Sequence, residues 1–216
     1  MIKQEDFIKL LNQEPAVFSQ VGQITTDTRA GQEIIKSLIT FKPRRIFEIG
    51  TWNGLGTTRC ILQALQTYDF DNFTSLECNT IKHNLAINNN KDLINNKTHL
   101  INATILDEQD WKDAREMFKN DIVQDWFDTD YEHSKRLKNI FTELSEFDAM
   151  LLDGGEYTTY AEFKKLLPLC KQLILLDDTK TCKCMKIVEE LNNNPDWQLF
   201  FQTDERNGFA IYNKKE

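Results

Sequence analysis

The segment that most constrains the fold is residues 45–58, with the sequence RIFEIGTWNGLGTT. Its apolar start predicts a short strand, its glycines at positions 50, 54 and 56 predict a loop, and a helix pattern follows. A strand, a glycine loop and a helix in this order are typical of an α/β sheet that holds a nucleotide-like ligand at the carboxyl ends of its strands. The segment therefore predicts an α/β fold with a ligand site beside this loop.

The spacing of the glycines differs from that of a dinucleotide-binding loop, which reads G-x-G-x-x-G. Here the pattern is E-x-G-x-x-x-G-x-G, with Glu48 two residues before the first glycine. Glycines allow the backbone to pass close to a ligand, and the start of the next helix offers free N–H groups. The pattern favours a ligand without a pyrophosphate, whose cationic or hydroxyl-bearing part would meet Glu48.

Composition narrows the classes of protein that fit. A chain of 216 residues, 40% of them hydrophobic, is most simply one globular domain. The net charge of −8 argues against nucleic acid as a partner, since such proteins carry basic surfaces. Five cysteines without a disulfide pattern, an acidic start and no apolar run of roughly 18 residues predict a reduced, cytoplasmic protein without a membrane span.

Strands alternate with helices along most of the chain, which predicts a Rossmann-like, doubly wound, mainly parallel sheet. Seven strands are expected, the last two forming a C-terminal antiparallel hairpin. The predicted strands are residues 46–49, 73–77, 99–103, 149–153, 172–178, 198–203 and 209–213. Helices are predicted at residues 5–12, around 34–39, and at 57–65, 80–93, 160–167 and 184–191.

One connection is much longer than the others. Some 40 residues separate the third and fourth strands, several times the usual length. This stretch is acidic and aromatic, and it must contain helices of its own. We therefore expect a single domain, 1–216, with an N-terminal helical cap at about 1–42 and a helical insertion at about 108–147. The insertion would lie over the carboxyl edge of the sheet as a substrate lid.

Acidic residues end several of the predicted strands, at the edge where ligands bind. Glu77 follows the second strand, where a carboxylate can accept two hydrogen bonds from a ribose diol. Asp153, Asp177 and Asp178 end strands four and five. Because neighbouring strands lie roughly 5 Å apart, these acids can converge on one hard cation such as Mg²⁺. Aspartate is also common in turns, so both interpretations stay open.

Two further features leave alternatives open. Trp52, inside the glycine loop, could make a cation–π contact with a bound cation or could be a packing residue. Cys182 and Cys184 form a C-x-C pair without the partner pair that zinc sites need, so ordinary reduced thiols are favoured.

Residues 46–56 resemble motif I of class I S-adenosylmethionine-dependent methyltransferases, and residues 75–77 resemble the acidic motif after the second strand. Within that class the sequence is similar to the branch of catechol O-methyltransferase and related small-molecule and sugar O-methyltransferases. Gly31-Gln32 matches a pair in the helix before motif I. Asp153, and the pair Asp177-Asp178, match the acids that end strands four and five in that branch. The resemblance covers roughly residues 25–213.

The resemblance implies S-adenosylmethionine as the cofactor, with Mg²⁺ as an optional second one. It implies three metal ligands, Asp153, Asp177 and Asp178, and catalytic roles for Asp153 and Glu156. The family often has a lysine or histidine base where this chain has Glu156, which leaves the base open. The implied cofactor-binding residues are Glu48, Gly50, Thr51, Trp52, Gly54, Gly56, Glu77, Cys78, Ala103, Thr104 and Asp153.

The implied reaction is O-methylation of a small hydroxylated acceptor. Residues 153–156 (DGGE) and 205–209 (ERNGF) resemble methyltransferases encoded near surface-glycan genes, which favours a sugar or a glycan precursor. A homodimer is compatible with this interpretation. Two alternatives remain: a protein that binds S-adenosylmethionine without transferring its methyl group, and an NAD-dependent oxidoreductase, against which the glycine spacing argues.

Overall fold

The computed structural model describes residues 24–120 and 122–215, and the helix predicted at residues 5–12 lies outside them. Seven helices and seven strands are described in these ranges. The helices are α1 (Arg29–Phe41), α2 (Thr57–Leu65), α3 (Thr80–Asn89), α4 (Glu108–Met117), α5 (Gln124–Ser134), α6 (Thr159–Leu166) and α7 (Met185–Asn193). The strands are β1 (Arg45–Ile49), β2 (Asn72–Leu76), β3 (Thr98–Ile101), β4 (Phe147–Leu152), β5 (Cys170–Asp177), β6 (Trp197–Thr203) and β7 (Phe209–Lys214).

The strands form one sheet in the order β3-β2-β1-β4-β5-β7-β6. The first five strands are parallel, and β7 runs antiparallel between β5 and β6. The prediction of a seven-stranded, mainly parallel sheet with a C-terminal hairpin is confirmed. Strand order reverses at β1, which pairs with β2 on one side and β4 on the other. Such a switch point leaves a crevice at the carboxyl edge of the sheet.

Both faces of the sheet are buried, because successive side chains of each strand point to opposite sides. In β4, Met150 and Leu152 belong to the apolar cluster that also contains residues of α6 and α7. Ala149 and Leu151 belong to the opposite cluster, with residues of α1 and α2. The helices therefore cover the sheet in two layers, and the strand ends remain for a ligand.

The strand-end acids lie just where the ladder stops. Glu77 and Asp153 come one residue after β2 and β4, and Asp177 is the last residue of β5 with Asp178 after it. The sequence patterns placed all four of these acids inside the strands, so Glu77, Asp153 and Asp178 each lie one residue beyond the observed strand ends. The strands end earlier because the backbone turns there to form the rim of the crevice.

The long connection forms two helices, as predicted. α4 begins with a capping box in which the side chains of Asp107 and Asp110 each accept a backbone N–H of the other residue. Trp111 of α4 donates its Nε1–H to Ser134 Oγ of α5 at 3.2 Å. The pair has its own small apolar cluster, apart from the two clusters of the sheet. The domain division and a lid function for these helices stay predictions. None of the helices in the described ranges is long and apolar enough to cross a bilayer.

Candidate functional site

A cavity of about 120 Å³ lies at the carboxyl ends of β1, β2, β3 and β4, under helices α4 and α5. Its wall combines the glycine loop, the strand ends and the insertion. The lining residues from the sheet edge and its loops are Ile49, Gly50, Trp52, Leu76, Glu77, Cys78, Ala103, Thr104, Ile105, Asp153, Gly154 and Gly155. The others are Lys82, Leu106, Trp111, Asp130, Ser134, Thr158 and Glu162.

Gly50 brings the glycine loop against the end of β4. It has a φ of +93°, and a Cβ on it would lie 1.9 Å from the backbone oxygen of Asp153. Only glycine fits this conformation and this approach. The predicted loop residues Gly50 and Trp52 line the cavity, whereas Thr51, Gly54 and Gly56 do not.

Gly54 approaches α3 closely and does not face the cavity. Its φ is +76°, and a Cβ there would meet Ala86 and the side chain of Asn90 on and beside α3. Asn90 also donates its Nδ2–H to Gly54 O at 2.8 Å. This glycine therefore allows the loop to pack on α3, which holds the loop in place beside the cavity.

Glu48 lies beneath the loop and does not line the cavity. Its carboxylate is fully buried and accepts hydrogen bonds from Thr57 Oγ1 (2.8 Å), Thr58 Oγ1 (2.8 Å) and Ser75 Oγ (2.6 Å). Burial raises the pKa of Glu48 to about 7, and the three hydroxyls oppose that rise. The carboxylate therefore ties β1 to α2 and β2, and its contact with a cofactor stays a prediction.

Glu77 is placed where the ribose prediction requires. It lines the cavity, and its two oxygens accept backbone N–H groups from Trp52 (2.7 Å) and Asn79 (2.8 Å). Burial raises the pKa of Glu77 to about 6. Each carboxylate oxygen has two lone pairs, so both can also accept the hydroxyls of a diol.

Three more of the predicted cofactor-binding residues also lie in the cavity wall. Cys78, Ala103 and Thr104 all line it. The backbone of Thr104 pairs with the returning end of the insertion, donating to Lys138 O at 3.1 Å and accepting from Ile140 N–H at 2.9 Å. The insertion is thus joined to the cavity wall by backbone hydrogen bonds.

Sequence reasoning did not identify Asp130, Glu162 and Lys82, which also line the cavity. Asp130 comes from α5, and burial raises its pKa. Burial also raises the pKa of Glu162, to about 8, and Glu162 Oε2 has no hydrogen-bond partner among the described residues. The Nζ of Lys82 lies 3.2 Å from the centre of the Trp52 ring, so in this structure that ring meets a lysine.

The three strand-end aspartates converge, as predicted, and two of them pair with a lysine. One carboxylate oxygen from each of Asp153, Asp177 and Asp178 lies within 4.8 Å of the others. Lys183 Nζ lies 2.9 Å from Asp153 Oδ1 and 2.7 Å from Asp178 Oδ2. Burial by itself lowers the pKa of Lys183, but the aspartates outweigh it and raise that pKa well above its usual value.

This arrangement does not fit the divalent cation that the resemblance implies. Mg²⁺ takes several oxygen ligands at short distance, and here an ammonium already binds two of the three carboxylates. Asp178 Oδ1 is the one buried oxygen of the cluster that lacks a partner among the described residues. Burial also raises the pKa of Asp177 to about 8, which favours its neutral form at neutral pH.

Glu156, the other predicted catalytic residue, is not among the residues that line the cavity. It is half-buried, and Cys182 Sγ lies 3.1 Å from its Oε1. Its catalytic role stays a prediction. Lys183 lies between the two cysteines of the C-x-C pair. It was not predicted as a site residue, because a single lysine forms no recognisable motif.

No protein-family model matches the chain, and no curated protein matches its sequence. Solved structures do match it. One is an O-methyltransferase from Bacillus cereus in complex with SAH, with a TM-score of 0.60 and 16% identity, covering 100% of this chain and 93% of that one. Another is a SAH-bound methyltransferase from Podospora anserina, with a TM-score of 0.62 and 14% identity, covering 97% of this chain and 88% of that one.

A putative caffeoyl-CoA O-methyltransferase from Staphylococcus aureus is similar too, with a TM-score of 0.59 and 18% identity. It covers 96% of this chain and 92% of that one. At such low identities the similarity establishes the fold. The chain therefore has the fold of these methyltransferases, the fold that its sequence resemblance predicted.

Proposed function

We propose that this protein is an S-adenosylmethionine-dependent methyltransferase that acts on a hydroxyl group of a small molecule. The observation that carries the proposal is the acidic lining of the cavity, which stays negatively charged although Glu162, with a pKa of about 8, is largely neutral at pH 7. Four acids line it, Glu77, Asp130, Asp153 and Glu162, and Lys82 is its only basic side chain among the described residues. S-adenosylmethionine carries a sulfonium, an ammonium and one carboxylate, so it suits such a cavity. The pyrophosphate of NAD would be repelled there.

The proposed binding roles follow the positions of the residues. Glu77 accepts the ribose hydroxyls, and Cys78, Ala103 and Thr104 surround the adenine. Gly50 lets the loop pass close to the methionine part. Glu48 supports the loop from beneath, through Thr57 and Thr58 at the start of α2. Thr51, Gly54 and Gly56 then shape the loop without reaching into the cavity.

The cofactor supplies an electrophilic methyl group bound to a positively charged sulfur. Asp153 lines the cavity at the end of β4, and its side chain is 24% exposed. It would accept the proton of the acceptor hydroxyl as the cofactor supplies its methyl group to that oxygen, with S-adenosylhomocysteine as the leaving group. Burial raises the pKa of Asp153, which makes its carboxylate a better base. Holding the two reactants in line is the rest of the catalysis.

A sugar or glycan precursor is the acceptor that the sequence favours, and this part of the proposal rests on the resemblance of residues 153–156 and 205–209 alone. A homodimer and a cytoplasmic location stay predictions. The cavity, at about 120 Å³, is smaller than the roughly 300 Å³ of sites that hold drug-sized ligands. We propose that α4 and α5 move outward to admit both reactants, as a lid would.

Calorimetric titration of the wild-type protein with S-adenosylhomocysteine tests the proposal, with NAD as the competing ligand. We expect S-adenosylhomocysteine to bind with a micromolar dissociation constant and NAD not to bind. Preferential binding of NAD, or binding of neither, would contradict the proposed function. Hydroxylated acceptors, sugars first, would then be screened for methyl transfer with the wild-type protein.

A further inference from the structure

Lys183 lies in the turn between β5 and α7, and only 8% of it is exposed. Lysine is almost never buried to this degree unless it is paired. Its Nζ spans the ends of two strands, since it contacts Asp153 after β4 and Asp178 after β5. The ammonium thus bridges two of the three carboxylates of the aspartate cluster.

The turn that carries Lys183 is held firmly. Thr181 Oγ1 accepts the backbone N–H of Lys183 at 3.2 Å, and Asp178 O accepts that of Thr181 at 3.1 Å. The turn is also bonded to the β6–β7 hairpin, where Thr179 N–H donates to Gly208 O at 3.1 Å. These hydrogen bonds fix the backbone of the turn and therefore the position from which the Lys183 side chain reaches the aspartates.

We infer that Lys183 is the resident cation of the aspartate cluster and takes the place of a divalent metal, so that this protein requires none. The inference rests on the proposed function for its link to methyl transfer. A divalent ion bound to the same carboxylates would lie beside the ammonium, and the two positive charges would repel each other strongly in this buried site. The carboxylates can neutralise one of these cations but not accommodate both.

The consequence for the reaction concerns Asp153. An ammonium is a hydrogen-bond donor and a fixed charge, but it is not a Lewis acid that ionises a bound hydroxyl. Lys183 therefore acts as a positioning residue, which holds one oxygen of Asp153 while the side chain faces the cavity. The proton of the acceptor passes to Asp153, and no metal-bound oxygen is needed.

Calorimetric titration of the metal-free protein with Mg²⁺ alone tests the inference without any acceptor. Three proteins are compared: wild type, Lys183→Met, and the matched control Lys180→Met. Lys180 lies in the same turn but pairs with Asp204 at the surface, so its loss removes the same charge outside the cluster. We expect Lys183→Met to bind Mg²⁺ at least ~10-fold more tightly than the other two proteins, because the carboxylates lose their competing cation.

Micromolar binding of Mg²⁺ to the wild-type protein would overturn the inference, as would equal affinities of the two variants. If Lys183→Met does not fold alone, recovery of folding with Mg²⁺ supports the inference, and failure to fold even with Mg²⁺ counts against it. S-adenosylhomocysteine is titrated into the same wild-type sample. Absence of its binding would contradict the proposed function, and the role of Lys183 as the cluster's cation would still be decided by the Mg²⁺ data.

Discussion

The two halves of the site treat their buried acids differently. In the half that we propose for the cofactor, around the glycine loop, Glu48 accepts hydrogen bonds from three hydroxyls that lie within 27 residues of it in the chain. In the half that we propose for the acceptor, around the aspartate cluster, Asp153 is paired with the ammonium of Lys183, which lies 30 residues away and on a different loop. The position of an acid at a strand end therefore does not determine its function. Its partner in the folded structure determines whether the acid supports the loop, binds a ligand or accepts a proton.

Substitution of Asp153 should have the largest effect, and it tests whether the two halves of the site have separate functions. We expect Asp153→Asn to lower the rate of methyl transfer by about 10²–10⁴-fold, the usual effect of losing a general base. Binding of S-adenosylhomocysteine should change little, because the amide keeps the shape of the side chain. Turnover with an identified acceptor and calorimetry measure the two effects, with Asp204→Asn as the surface control. Equal loss of both would mean that Asp153 serves the cofactor half.

Glu77 gives the reverse outcome if the halves are distinct. Glu77→Gln should weaken S-adenosylhomocysteine binding by about 2 kcal/mol, the typical value of hydrogen bonds to a charged group, or roughly 30-fold. Because the pKa of Glu77 is about 6, wild-type binding should also weaken as pH falls through 6 and the carboxylate is protonated. Calorimetry at pH 5, 6 and 7.5 checks both statements. Unchanged affinity in the variant would refute the ribose contact.

Glu48 should affect stability more than binding. Its pKa rises from 4.5 to about 7 on folding, so between these values the folded protein binds more protons than the unfolded chain. The stability that this proton contributes is fully present below pH 4.5 and is lost as pH rises through 7. We expect the free energy of unfolding to fall between pH 5 and 8 in urea titrations.

Glu48→Gln should reduce that slope, and Glu162 should account for part of what remains because burial raises its pKa to about 8. The affinity for S-adenosylhomocysteine should be altered least by this substitution, since Glu48 does not line the cavity. A loss of affinity as large as that of Glu77→Gln would indicate that Glu48 contacts the cofactor directly and does more than support the loop.

Much of the fold was predictable, since the hydrophobic periods of strands and helices are local. The predicted helix at residues 57–65 coincides with α2, and the final hairpin and the parallel sheet are as expected. Strand ends differ by a residue or two, because the hydrophobic pattern does not mark where a ladder stops. Glu77 and Asp153 still donate their backbone N–H groups to Ile101 O (3.1 Å) and Ile49 O (2.9 Å), one residue past the strand ends. The helices of the insertion were predicted only as helices somewhere in the stretch, since its aromatic and acidic residues follow no simple period.

The site divides in the same way. Glu77, Cys78, Ala103, Thr104 and Asp153 reach the cavity because a parallel sheet places every strand end at one edge. Glu156 follows Asp153 by three residues and yet turns away, because the direction of a side chain in a loop depends on packing that no local pattern encodes.

The sequence alone determined the parallel sheet, the glycine loop and the row of acids at its carboxyl edge, because alternation, turn residues and strand ends are properties of neighbouring residues. Only the tertiary structure decided what those acids meet. Lys183, Asp130 and Glu162 arrive from separate loops and helices, and their distances to the site depend on how the whole chain packs. Charge pairing between distant residues is set in space, and for that reason the lysine in the aspartate cluster had no signature in the sequence.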